Sequence, residues 1–272
     1  MGTHTIPKLI TFDGEARSGK GTIVQATKDY LREKCGLKPM LIDRGQTFRA
    51  LVVAASKTGV NLDSPVEIDA FLENEQNIEA CTQFVKDVYH MDKDTRDALL
   101  YTNQVGEDSA KIGGRPASQS FVVTLTKKWM QDAGSEGFDV VLLDGRALET
   151  ISRQMHEENL CEYVLGLYFV CDAQVGARRT LGYAGLQYAE LSSDQKLEVD
   201  DFVTKIHQRN DADMTREVER LVRPENAPLI TLPIAPQPGS HMYVIDTTAE
   251  MTKSDMYEPV ASFVAQSLKA SE

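Results

Sequence analysis

Lys8-Leu9-Ile10-Thr11-Phe12-Asp13-Gly14-Glu15-Ala16-Arg17-Ser18-Gly19-Lys20-Gly21-Thr22 is the stretch that decides the fold. Its opening residues are short, apolar and β-branched, the mark of a buried strand. Gly14 and Gly19 then enclose four residues, and Lys20 follows at once. That spacing is the pattern of a phosphate-binding loop. Glycine lets the backbone curl until several N–H groups point at one anion. A helix beginning near Lys20 adds its positive end to the same spot. Gly14, Glu15, Ala16, Arg17, Ser18, Gly19, Lys20, Gly21 and Thr22 are therefore candidate nucleotide-binding residues, with Lys20 reaching the outer phosphates. Gly21 stands where most such loops carry Ser or Thr, and Thr22 comes one later.

The chain has 272 residues, enough for one α/β domain with insertions, and 42% hydrophobic residues can fill a substantial core. A net charge of −12 argues against a general binder of nucleic-acid polymers, which is usually basic. An acidic protein that binds anionic nucleotides must gather its cations at the site, so the placement of arginines is informative. Cys35, Cys81, Cys161 and Cys171 form no close metal-type pair and read as reduced thiols of a cytosolic protein. No apolar run is long enough to span a bilayer, and residues 1–8 lack the apolar stretch of a signal peptide. The expectation is a soluble cytoplasmic monomer with no membrane or nucleic-acid partner.

Along the chain, a helix over 20–34 is followed by a strand at Pro39–Asp43, a helix over 47–59 and another over 66–75. Phe84–Tyr89 alternates like a strand, 90–97 reads as its turn, and Ala98–Gln104 reads as the return strand. A helix over 117–132 places Trp129 in the core. Phe138–Asp144 is a second strong signal: four apolar residues end in a carboxylate, at the strand tip where open α/β sheets bind ligands. In phosphate-loop enzymes such an Asp supports magnesium, often through water, which makes Asp144 the candidate metal residue. Tyr163–Cys171 is another buried strand. Gln174–Tyr188 starts a helix with Arg178-Arg179, and 192–223 is a long polar helical stretch. Pro228–Ser240 reads as an irregular loop without chemistry. Tyr243–Thr248 is a last strand and 254–270 a closing helix. The alternation implies right-handed crossovers and a parallel sheet with helices on both faces, a P-loop NTPase-type α/β fold.

Several of these pieces, in this order, resemble the cytidylate kinase family, a group of nucleoside monophosphate kinases. Ile10–Gly14 with Ser18-Gly19-Lys20-Gly21-Thr22 is similar to that family's first strand and loop. Leu41–Ala50 resembles its second motif, Asp144-Gly145-Arg146 the tip of its third strand, Arg209–Arg216 its lid stretch and Asp246-Thr247-Thr248 its last strand. The resemblance implies an ATP- and Mg2+-dependent transfer of a phosphoryl group to CMP or dCMP, with small nucleotides as partners. It implies one kinase domain, with a core over 7–60, 115–175 and 243–270. An acceptor-binding insertion would span 61–114 and a helical lid 176–225. Lys20, Arg146, Arg209 and Arg216 would be catalytic, and Arg178 would join the loop in binding ATP. Asp43, Arg49, Arg115, Arg146, Asp213 and Arg216 would bind the acceptor, with Asp213 on the ribose hydroxyls. Arginine suits such work, because its planar fork binds phosphate oxygens in pairs and stays charged.

The departures cluster on acceptor recognition. Arg44 replaces a small hydroxyl residue that touches the ribose, and Ala147 replaces an Asp that meets cytosine. Arg115 precedes Pro116, whereas the family's arginines follow that proline; Ala117 and Gln119 stand there instead. Buried polar contacts discriminate strongly only where they exist. The acceptor is thus open between CMP or dCMP and another small nucleotide or metabolite. A catalytically inactive ATP-binding regulator is the rival from a different class. A GTPase-like switch is disfavoured, since the sequence has no Asn-Lys-x-Asp motif.

Overall fold

Leu9, Ile10 and Phe12 are fully buried because strand β1 (Lys8–Gly14) has a parallel neighbour on each side. The computed structural model describes residues 6–271. After β1 come α1 (Lys20–Cys35), β2 (Pro39–Asp43), α2 (Arg44–Lys57), α3 (Pro65–Glu73), α4 (Glu75–His90), α5 (Lys93–Leu100), α6 (Asn103–Gly113) and α7 (Pro116–Ser135). Then follow β3 (Val140–Asp144), α8 (Glu149–Glu157), β4 (Glu162–Val170), α9 (Ala173–Thr180), α10 (Ser193–Thr215), β5 (Leu229–Thr231), β6 (Met242–Asp246) and α11 (Lys253–Ala270).

The chain divides into two compact units. The first takes residues up to Ile42, Met130–Thr215 and the chain from Arg220 onward. Its sheet has the order β2-β3-β1-β4-β6-β5, six strands among the described residues. Register sets Phe12 beside Asp144 and Gly14 beside Phe169, so the tips of β3 and β4 flank the end of β1. Side chains alternate across a strand. Ile10, Phe12, Leu142, Leu167, Phe169 and Ile245 therefore join Ile23 and Leu31 of α1 and Val260, Phe263 and Val264 of α11 in one cluster. Phe12 and Phe169 stack with ring centroids 6.0 Å apart. Each such side chain contributes about 1.5–3 kcal/mol by leaving water. Leu9, Val141 and Leu143 alternate to the opposite face, and α8, which buries Ile151 and Met155, packs on β1 and β4. Helices thus cover both faces of a parallel sheet, as the sequence implies.

The second unit takes Asp43–Trp129 and Arg216–Glu219. It is helical: α2 packs against α4, α5 and α6, and α3 against α4. Trp129 is buried and meets Tyr89 edge-on, at 5.3 Å between ring centroids.

Four expectations are corrected. Phe84–Tyr89 is not a strand but part of α4, where Cys81, Val85 and Val88 fall at helical spacing on one buried face. The expected turn and return strand over 90–104 are α5 and the start of α6, each begun by a side-chain cap, Asp92 on Thr95 N and Thr102 on Val105 N. The segment 228–240 is not wholly irregular, because Leu229–Thr231 pairs in parallel with Val244–Asp246. The helices of the 174–223 region are also shorter than the sequence suggests. α9 ends at Thr180 and α10 at Thr215.

Candidate active site

In the first unit the glycine loop is held open by its neighbours. Gly14 has φ 132°, and a Cβ there would overlap the backbone of Phe169, whose carbonyl accepts Glu15 N at 2.9 Å. Only glycine allows β1 and β4 to stay that close. Gly19 is left-handed at φ 79° and caps α1 without a side-chain hydrogen bond. The first turn of α1 therefore keeps main-chain N–H groups that an anion can accept from. Thr247 Oγ1 donates to Ser18 O at 2.8 Å, and Asn210 Oδ1 of α10 accepts Ala16 N at 2.8 Å. Arg17 is left-handed too, at φ 60°, and its guanidinium lies over the Phe202 ring at 5.2 Å.

Lys20 Nζ forms an ion pair with Asp144 Oδ1. The register that sets Asp144 beside Phe12 is what brings the carboxylate to the loop. Two residues on, Arg146 pairs with Asp213 of α10. Asp13 anchors the turn between them: its carboxylate accepts Gly14 N at 2.6 Å, Ala147 N at 3.0 Å and Leu148 N at 2.7 Å. Burial raises the Asp13 pKa, and those three N–H groups oppose the rise. Ala147 can take its left-handed φ of 57° because this carboxylate pins the turn. Burial likewise raises the pKa of Glu15, against the pull of Arg223, Arg146 and His207.

The remaining arginines of this unit do different things. Arg178 is buried, paired with Glu250 Oε1 at 2.8 Å and donating to Leu186 O. Arg179 donates to Thr247 O at 2.7 Å and Ala249 O at 2.6 Å, tying down the loop after β6. Arg209 is exposed on α10, next to the Asn210 that grips the glycine loop.

In the second unit, Asp43 is the N-cap of α2, accepting Gln46 N at 2.9 Å, and Tyr89 Oη accepts its N–H at 2.8 Å. Arg49 donates to Leu100 O at 3.0 Å and lies over the Tyr101 ring at 4.8 Å. Arg115 donates to Asp69 at 2.8 Å and Pro65 O at 3.1 Å. Arg44 is only 2% exposed. Its Nη2 meets Glu219 Oε2 at 2.6 Å and Gln119 Oε1 at 3.3 Å, while Nε and Nη1 have no hydrogen-bond partner. Arg216 donates from Nε to the main-chain oxygen of Glu219.

Lys20 with Asp144, and Arg146 with Asp213, are thus brought together in one unit; Asp43, Arg49, Arg115 and Arg216 belong to the other. Sequence reasoning gave no role to Asp13, Asn210 or Thr247. Each sits inside a motif already singled out, so only the contact itself was hidden. No cluster of three or more metal-type ligands occurs among the described residues. Asp144 offers a hard oxygen beside Lys20 of the loop. That fits Mg2+, which keeps several waters and takes one or two carboxylates plus phosphate oxygens.

A parallel sheet whose first strand runs through this loop into a helix defines a P-loop α/β protein. The family model for cytidylate kinase matches residues 10–233. The chain belongs to the cytidylate kinase family. The cytidylate kinase of Acinetobacter baumannii (strain AYE) is 24% identical over 259 residues, covering 94% of this chain and 96% of that protein. That of Aeromonas salmonicida (strain A449) is 26% identical over 263 residues, covering 96% and 95%. That of Shewanella piezotolerans is 24% identical over 227 residues, covering 82% and 86%. At such identities this chain is a divergent member.

Proposed function

We propose that this protein is a nucleoside monophosphate kinase that moves the γ-phosphoryl of ATP to a pyrimidine monophosphate, CMP or dCMP first. The observation that carries the reading is the Lys20–Asp144 pair beside the glycine loop and the N-terminus of α1, which has no side-chain cap. The family and the names of its relatives support the same class of reaction. Without a ligand, each charge is neutralised by the other. A bound ATP replaces both partners: its phosphates take Lys20, and Asp144 is left to hold Mg2+ through water. Bound Mg2+ would supply positive charge that offsets the charge of the phosphates.

Phosphoryl transfer asks the protein mainly for positioning and charge neutralisation. In this reading the loop from Gly14 to Thr22 wraps the ATP phosphates, with the amides of the first turn of α1 facing them. Arg146, Arg209 and Arg216 spread the developing charge, and Arg49 grips the phosphate of the acceptor. Asp213, now paired with Arg146, is released to the acceptor ribose when phosphate takes the arginine. The 176–225 segment acts as the lid and 61–114 as the acceptor-binding insertion. Arg178 joins the ATP site only by leaving Glu250, so its contribution is the smallest of the arginines. Asp43 and Arg115 shape the acceptor site through α2 and α3, which they cap and tie.

The test is a screen of CMP, dCMP, UMP, dTMP, AMP and GMP with ATP and Mg2+, following ADP release. Turnover with CMP or dCMP well above the rest supports the reading. Turnover confined to other monophosphates moves the acceptor assignment, and none with any of the six defeats the kinase reading.

A further inference from the structure

Arg216–Glu219 belongs to the second unit although the rest of that unit lies far earlier in the sequence. Two contacts hold these residues there. Glu219 Oε2 accepts Arg44 Nη2 at 2.6 Å, in a pair whose side chains are 3% and 15% exposed. The main-chain oxygen of the same Glu219 accepts Arg216 Nε. Glu219 does this with φ 49°, a left-handed conformation that a non-glycine residue keeps only when its surroundings impose it. A carboxylate buried against a guanidinium is such an imposition, because removing one partner strands the other charge away from water. Gln119 Oε1 steadies the same Arg44 nitrogen at 3.3 Å and is itself fixed by donation from its Nε2 to Gly113 O. The order of support is therefore Gln119, Arg44, Glu219, Arg216.

We infer that Arg44 is a positioning residue which, through Glu219, sets Arg216 in place for the phosphoryl transfer. The inference rests on the kinase reading, in which Arg216 meets the phosphates. It gives a residue that departs from the family pattern a task other than touching sugar or base.

Two measurements on the full-length protein test it. Glu219→Gln keeps the shape of the side chain and removes its charge, so it is preferred to Arg44→Met, which empties a buried site. Hydrogen exchange of the amides at 216–221 should quicken at least tenfold in Glu219→Gln, with the sheet amides unchanged. Unchanged exchange overturns the clasp, whether or not the protein is a kinase. In turnover, Glu219→Gln should lower kcat at least tenfold with the KM for ATP unchanged. The same change placed on Arg216→Ala should cost no more than a further twofold. Wild-type kcat in Glu219→Gln, or losses that multiply in the double variant, overturns the role of Arg44. Absence of turnover in the wild type with every monophosphate defeats the kinase reading, and the exchange result then decides the clasp alone.

Discussion

In the kinase reading the chemistry turns on Lys20, whose ammonium the loop geometry brings against Asp144. Lys20→Ala removes a side chain that is only 15% exposed, yet its methylenes fill no part of the sheet core. Turnover should fall about 10²–10³-fold, as for loss of one preorganised donor at a transition state, and urea unfolding should show some loss of stability, because Asp144 is left buried without its counter-charge. Turnover within a factor of a few would remove the loop from the mechanism. Glu15 makes a different case. Its carboxylate sits in the anion loop itself, and burial raises its pKa. A carboxyl raised by folding stabilises the fold in its protonated form. That contribution is present below the unfolded pKa and is lost as pH rises through the folded one. Above its folded pKa Glu15 is ionised at a cost, which Glu15→Gln removes. The gain in Tm over wild type should be larger at pH 7 than at pH 4, and ATP should bind more tightly at pH 7. Equal gains at both pH values would mean that the carboxyl is not perturbed. Cys81 and Cys161 carry no such lever: burial pushes Cys81 up to about 11 and Cys161 up to about 12, so neither is a thiolate at neutral pH.

Helices and strands show where pattern alone suffices. β1 and β3 were legible as short, mostly apolar runs rich in branched residues, because a strand covered on both faces needs no alternation. The loop between β1 and α1 was legible because its chemistry is written in consecutive residues. The stretch over 84–104 misled, since the β-branched and aromatic residues of 84–89 suit a strand in a short window, while the longer window follows the helical period of Cys81, Val85 and Val88. Asn74, Asp92 and Thr102 are the signals that would have corrected it: each caps a helix by accepting main-chain N–H groups two or three residues on. Asp43 is the same device at α2. Asp43→Ala should cost about 1 kcal/mol of stability, the usual worth of an N-cap, whereas Asp43→Asn keeps the cap and costs a few tenths. Chemical denaturation of both variants measures this. If Asn also leaves the acceptor KM unchanged, Asp43 shapes α2 and does not bind the acceptor through its charge.

At the scale of the whole molecule, the contacts that sequence could not disclose are the long ones. Lys20 meets Asp144, Arg146 meets Asp213 and Arg44 meets Glu219 across stretches that no local pattern spans. Identity and order of motifs name the parts, but only the sheet register and the helix ends decide which charges touch. The two units also differ in how they are held. The first is built on a six-stranded sheet with fully buried Leu9, Ile10, Phe12 and Phe169, and the second on short capped helices whose outward faces are largely exposed. Opening a sheet core exposes far more apolar surface than opening α5 or α6, so the helices should open at lower free energy. Native-state hydrogen exchange should therefore show β1, β3 and β4 protected up to the global stability, with α5 and α6 exchanging well below it. A non-hydrolysable ATP analogue should raise protection in residues 14–22, and a monophosphate in 43–129, because each ligand stabilises the structure it contacts by mass action. If a monophosphate instead protects only the loop, the second unit does not receive the acceptor. The assignment of Arg49 and Arg115 would then fall, even if the enzyme turns over.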